Sequence, residues 1–423
     1  MTTAALTDPV ALQIQKRNFR NVQIDAIGVG LASAAGPFLP VFLALSNATD
    51  LQVGLLTAMP GVTGVFLALI VGRFLQTRRK IVPWFSVARL VVLSCYALTG
   101  LVPFFVPQKH IVTSILIIWA FATIPQTVVA IAFSVVMNAV AGPQGRYALM
   151  SRRWSTLGLT SAITVAVAGQ ILDRVIFPLN YQLIFLGLSL GGLISYYFSS
   201  HINLPDAEVP SQLIGGLSKK GIQTYVRLVR NEPAFVSFAL KRFVVLSGIS
   251  LAAPLFPLYF VKIVHASNSW IGFISTTQTA FALVGYYLWS RQSRQRGSRF
   301  VLLCTTLGVS LYPSLTAMTT SEQAIVLFAG FAGIFQAGLD LVFFDELMRT
   351  VPVQYSATFV SLAQSMQHLS TIASPLIGTT LAGQIGIGGA LLVGAGLRFT
   401  GFALFAFGKG RLKQGNLAGQ TTE

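Results

Sequence analysis

Few side chains of this 423-residue sequence are equipped for chemistry, and most of those sit in apolar surroundings. Asp340 has Gln336 one helical turn before it and Gly333 a further turn back, so a helix here lines all three along one face. A carboxylate beside an amide in an apolar wall is suited to taking up and releasing a proton. The alternative is that it only accepts a hydrogen bond from a neighbouring helix. Gln126 stands in FATIPQ and Gln336 in FAGIFQ, two amides in matching contexts that would face one cavity. Downstream, Ser361, Gln364, His368 and Thr371 recur at helical spacing, and Gln278 adds a further amide. His368 either relays protons or simply hydrogen-bonds. Asp25 and Arg242 are 217 residues apart and would form a salt bridge that opens and closes as a gate; in the plainer reading Asp25 is hydrated near the interface and Arg242 snorkels. The chemistry this inventory suits is the recognition and movement of a polar group or a proton. It is poorly suited to bond cleavage. No HExxH or Walker-type loop occurs, and Cys95 and Cys304 offer no metal-ligand spacing, so neither an enzyme nor a cofactor or metal site is expected.

These residues need elements to hold them, and composition says which. Hydrophobic residues make up 54% of the chain, charged ones only 10%, and the mean hydropathy is +0.71, against about 25% charged residues in a soluble protein. A membrane core of about 30 Å takes roughly 20 apolar helical residues. On that window spans are predicted near 21–46, 51–72, 81–106, 111–140, 154–177, 179–200, 233–261, 268–289, 300–318, 322–347, 355–383 and 390–408, an all-α integral membrane protein of twelve transmembrane helices.

The net charge of +17 would suggest nucleic acid in a soluble protein. Here 22 of the 29 Lys and Arg fall in alternate loops on one side, including Arg73 with Arg78, Arg79 and Lys80, the 146–153 group and the 291–299 group. That is the pattern of a cytoplasmic face, so nucleic acid is not an expected partner and both termini are expected inside. Residues 1–20 have no apolar core of a signal peptide.

The sequence also repeats itself. PFLPVF at 37–42 returns as PLFPLY at 254–259, Val53-Gly54-Leu55-Leu56 as Ile271-Gly272-Phe273-Ile274, FATIPQ as FAGIFQ, and Ala168-Gly169-Gln170-Ile171 as Ala382-Gly383-Gln384-Ile385, all in order. Two six-helix bundles, 6+6 and pseudo-symmetric, are therefore expected: 21–200 and 233–408, with an N-tail 1–20, a linker 201–232 and a C-tail 409–423. The linker is either an interfacial helix with Ile222, Tyr225, Val226 and Val229 on its apolar face or a solvated tether. Pro37, Pro40, Pro254 and Pro257 bend the first and seventh helices at matching depth, as flexible gate points or as fixed kinks that aid packing. Arg89 and Arg398 are expected to snorkel from span ends, and Tyr286, Tyr287 and Trp289 to form an aromatic belt.

Twelve helices in two halves with a basic linker resemble the major facilitator superfamily. The run from Gly72 and Arg73 to Arg78, Arg79 and Lys80 is similar to that family's loop between helices 2 and 3, with Gln76 where the family carries an acid. Gly30 followed by Pro37 and Pro40 resembles the helix-1 signature of its drug exporters, while the exporters' Gly-Pro pattern in helix 5 and the buried arginine of helix 4 are missing. The resemblance implies a monomeric secondary transporter working by alternating access in a bacterial inner membrane, with a small molecule, protons and membrane lipids as partners. Proton-coupled efflux of an amphiphilic compound is the leading expectation, with Asp340 and Asp25 as proton carriers and Gly72–Lys80 as the conformational loop. Uptake of a polar solute and lipid translocation are the alternatives, and a membrane enzyme ranks far below. An alkaline phosphatase fusion placed after Lys262 is expected to be active, because that loop belongs outside; an inactive fusion contradicts the topology.

Overall fold

The computed structural model describes residues 9–48, 50–206, 227–266 and 268–408. The expected interfacial segment therefore lies outside the described residues as far as 226, as does the C-tail, and its last residues, 227–230, are helical. The elements are α1 (Pro9–Ser33), α2 (Phe38–Leu45), α3 (Asp50–Gln76), α4 (Val82–Phe105), α5 (Ile111–Arg174), α6 (Leu179–Ser200), α7 (Pro233–Ala252), α8 (Leu255–Lys262), α9 (Asn268–Ala317), α10 (Glu322–Thr350) and α11 (Ser356–Phe407). Among the described residues there is no strand, and nine helical stretches are long and apolar enough to cross a membrane. Phe66, Phe105, Phe121, Ile176 and Leu376 lie open on the outside, an apolar surface that hydrocarbon, not water, accommodates.

Several expected loops shrink to a single residue. The segments 141–153, 290–299 and 384–389 are almost wholly helical, and the chain is broken only at Gly142, Gly297 and Gly386, whose φ values of +64°, +82° and +80° a side chain would oppose. Arg146, Arg152 and Arg153 are consequently helical residues and not loop bases. The first helix also begins earlier than expected, at Pro9. Its start is pinned to the end of α6, where the Asn18 amide donates to the Asn203 carbonyl at 2.7 Å and accepts from its N–H at 2.9 Å, while Asn21 donates to the His201 carbonyl at 3.0 Å.

The prolines behave as their spacing implied. α1 gives way to α2 through residues 34–37, and α7 to α8 through residues 253–254, so the first helix of each half of the chain is broken at matching points. In the first half α1 and α4 pack on α6, and α3 and α4 on α5; in the second, α9 packs on α10 and α7 on α11. The halves meet through α3 against α11 and through α5 against α9 and α10.

The apolar core differs between the two ends of the molecule. One cluster joins both halves at the end carrying the basic groups, taking Val71, Leu75, Met137 and Leu149 from the first and Phe235, Val301, Leu341 and Phe359 from the second. Toward the opposite end it is replaced by two separate clusters: Leu39, Phe42, Ile115 and Phe185 belong only to the first half, Leu255, Tyr259, Ile325 and Leu391 only to the second. The molecule is sealed at its basic end and divided at the other.

Candidate functional site

On α10 the i,i+4 spacing of Gln336 and Asp340 becomes a direct contact. Gln336 Nε2 donates to Asp340 Oδ1 at 2.9 Å, and Tyr286 of α9 donates its hydroxyl to Oδ2 at 3.3 Å. α9 and α10 approach this closely because Gly333 lies against the backbone of Gln278, where any side chain would collide. Tyr286 therefore points inward, contrary to its expected place in an aromatic belt, and Trp154 of the first half rests on it with ring centroids 5.6 Å apart. Trp289 is also buried, donating to the Ile334 carbonyl at 2.9 Å, and only Tyr287 faces outward. Arg242 of α7 is near enough for its charge to act on Asp340, but its own hydrogen bonds go to Gln367 at 2.6 Å and to the Ala363 carbonyl at 3.5 Å.

The polar stripe of α11 lies along α3. His368 presses its ring against Gly64, Ser361 fills the space beside Gly72, and Ser365 donates to the Val65 carbonyl at 3.2 Å. Thr371 is exposed and donates to the His368 carbonyl at 2.9 Å, and Gln364 is half-buried on the same helix. Small residues on α3 thus let a polar face of α11 cross between the halves at short range. Gln126 and Gln278 are half-buried, and among the described residues neither amide hydrogen-bonds to Asp340 or to the α11 stripe.

The pairing expected for Asp25 is not made. Its carboxylate, fully buried, accepts from Arg89 Nη1 at 2.6 and 2.5 Å and from Ser195 at 2.7 Å, with Arg153 at 3.5 Å. α1, α4, α5 and α6 converge there, within the first half, so Asp25 ties one half together and does not bridge to Arg242. Arg89 is accordingly a buried ion-pair partner and does not snorkel. Arg398 is buried too, donating to the Val309 carbonyl at 2.8 Å.

A second polar cluster is one that the sequence reading does not anticipate. At the end of α10, Asp345 is 1% exposed and meets Arg146 of α5 at 3.3 Å and Arg349 of its own helix at 2.8 Å. Beside it Glu346 accepts from Ser298 at 2.5 Å, and Ser298 shares a hydrogen bond of 3.2 Å with Tyr147 of α5. The available signal is the i,i+4 spacing of Asp345 and Arg349, masked by the expectation that the helix stops at 347. Nearby, Gln76 at the end of α3 donates to the Gln354 carbonyl at 2.5 Å and accepts from the N–H and hydroxyl of Thr358 at 3.4 and 3.5 Å. An amide can do both, whereas the acid of the family pattern could only accept. Arg78, Arg79 and Lys80 beyond it are exposed, Arg78 stacking 4.4 Å from the Phe74 ring.

Residues 238–421 match the family model of the Major Facilitator Superfamily. The match covers most of the second half of the chain. No curated protein matches it. Among solved structures it is similar to the human organic anion transporter MFSD10 (TETRAN), with a TM-score of 0.75, 12% identity and coverage of 92% of this chain and 99% of that one. It is also similar to the E. coli fucose:proton symporter FucP, at 0.71 and 13%, and to a bacterial homologue of the iron transporter ferroportin in its outward-facing state, at 0.70 and 16%. Each of these two covers 93% of this chain and 98% of its own. At such identities the likeness is one of fold, and it spans both halves of the chain.

The Asp25 cluster makes a direct prediction. Asp25→Ala leaves Arg89 and Arg153 buried without a counter-charge, which is expected to lower stability by about 3–5 kcal/mol, read as a fall in thermal unfolding temperature in detergent. Unchanged stability would contradict a structural role for Asp25.

Proposed function

We propose that this chain is a secondary active transporter that moves a small molecule by alternating access. The nine apolar stretches and the three glycine breaks within them support twelve crossings, grouped as bundles 21–200 and 233–408 around a shared path. The observation that carries the reading is the shape of the core: one apolar cluster common to both halves at the basic end, and two separate ones at the other. A rigid structural protein has no use for such asymmetry. A carrier that exposes its site to one side at a time requires it. Retained positive charge supports a cytoplasmic basic end, which makes this conformation open to the outside.

Asp340, Gln336 and Tyr286 form the proton-responsive part of the path, with Arg242, Gln126, Gln278, Gln364, His368 and Thr371 contributing to the surrounding walls. Few polar groups among apolar walls favour an amphiphilic compound, exported in exchange for protons, and the chain works as a monomer in contact with membrane lipids. The breaks at Pro37–Pro40 and Pro254–Pro257 allow the outer segments α2 and α8 to move against the rest.

Proteoliposomes loaded with a panel of amphiphilic and polar solutes, with and without a pH gradient, test this. Gradient-driven movement of one solute class is expected, and Asp340→Asn is expected to reduce it at least tenfold while solute exchange without a gradient persists. Full gradient-driven transport by Asp340→Asn would remove the coupling role, and lipid scrambling independent of solute would overturn the transporter reading.

A further inference from the structure

Glu346 is a buried carboxyl group that the transport path does not use. It lies six residues beyond Asp340 on α10, roughly 9 Å along the helix axis at 1.5 Å per residue, and is 3% exposed. Among the described residues no base lies within 4 Å of it. Its hydrogen-bond partner is the Ser298 hydroxyl, which the break at Gly297 brings to the inner face of α9, and behind Ser298 stands Tyr147 of the other half. The chain Tyr147–Ser298–Glu346 thus crosses from one half to the other by hydrogen bonds alone.

The surrounding charges must be weighed. Asp345 precedes Glu346 on α10, Arg349 follows it by less than a turn, and α5 contributes Arg146 and Tyr147. Two acids and two bases would balance with Glu346 ionised. Both guanidinium groups, however, are directed at Asp345, at 3.3 and 2.8 Å, and the Arg349 side chain is 49% exposed and shares its charge with water. What remains for Glu346 is one hydroxyl in a buried setting beside Asp345, and an isolated buried carboxylate is far more costly than the neutral acid.

We propose that Glu346 is a proton-binding site that holds the basic end of the transporter closed. Sealed between α5, α9 and α10, the group carries its proton. When the halves part at this end, water reaches the carboxyl and the proton leaves to the basic side. By linkage the proton binds the closed form more tightly than the open one, so lower pH on that side favours closure and higher pH favours opening. The site is distinct from Asp340: it responds to the aqueous phase at the basic end and needs no solute. It rests on the reading that this end opens at all.

The test uses the full chain in lipid nanodiscs, with Cys95 and Cys304 replaced by alanine and spin labels at Thr77→Cys and Val353→Cys. Both positions are exposed, next to the Gln76–Gln354 contact at the closed end. Between about pH 5 and about pH 9, the long-distance fraction is expected to rise severalfold in the parent and to stay low in Glu346→Gln, which mimics the protonated acid. Opening with the same pH dependence in parent and Glu346→Gln would overturn the proposal alone. A distance that stays short at every pH in both would overturn the alternating-access reading and this proposal with it. Ser298→Ala keeps the acid and removes its hydrogen bond, and serves if Glu346→Gln does not fold; it is expected to move the pH of opening, and an unmoved midpoint would count against Glu346.

Discussion

Asp345 is the hinge of the electrostatics: a carboxylate that is 1% exposed, held at 3.3 Å by an arginine of the opposite half and at 2.8 Å by an arginine of its own helix. A buried ion pair of this kind is strong against loss of one partner and weak against separation into water. Removing Arg146 would strand the charge, whereas opening the interface hydrates both partners and recovers the solvation they gave up. The pair therefore fixes the register of the closed state while adding little to its net stability. That is what a gate between two conformations requires, since an interface that gained many kcal/mol on closing would not reopen.

The other contacts at the basic end have the same character. Gln76 bridges α3 to Gln354 and Thr358 with an uncharged amide, Ser151 donates to the Tyr286 carbonyl at 2.7 Å, and Tyr147 meets Ser298. Each is a modest hydrogen bond, of order 1 kcal/mol net, that water replaces readily. The buried apolar cluster shared by the halves lies at the same end. By contrast, the charges that must never part are sealed within one half, as Asp25, Arg89 and Arg153 are. Rigid halves joined by replaceable contacts make the interface the place where motion costs least.

Much of this is legible in the sequence, and the exceptions have physical causes. Apolar stretches and one-sided charge reveal the membrane class, because hydrocarbon thickness and charge retention act on sequence directly. The Gln336–Asp340 pair is readable because an i,i+4 contact is local to one helix. Asp25 is misassigned because symmetry of position does not determine partner: Arg89, Arg153 and Ser195 reach it from three other helices, and only packing reveals them. Asp345 and Glu346 escape notice because their partners Arg146 and Ser298 are assigned to loops where single glycines suffice, so residues taken as solvated are helical and buried. Tyr286 illustrates the same limit, since an aromatic near a span end looks alike whether it turns to lipid or to a carboxylate.

The central claim, that the two ends open in alternation, is tested most directly by distances measured at both ends of one sample. Spin-label pairs at Thr77 and Val353 report the basic end, and a pair at Leu45 and Lys262, exposed at the ends of α2 and α8, reports the other. The account predicts two populations in lipid nanodiscs: one short at the basic end and long at the opposite end, as in the present structure, and one with the reverse pattern. Distances that remain fixed at both ends, or that lengthen together, would contradict it.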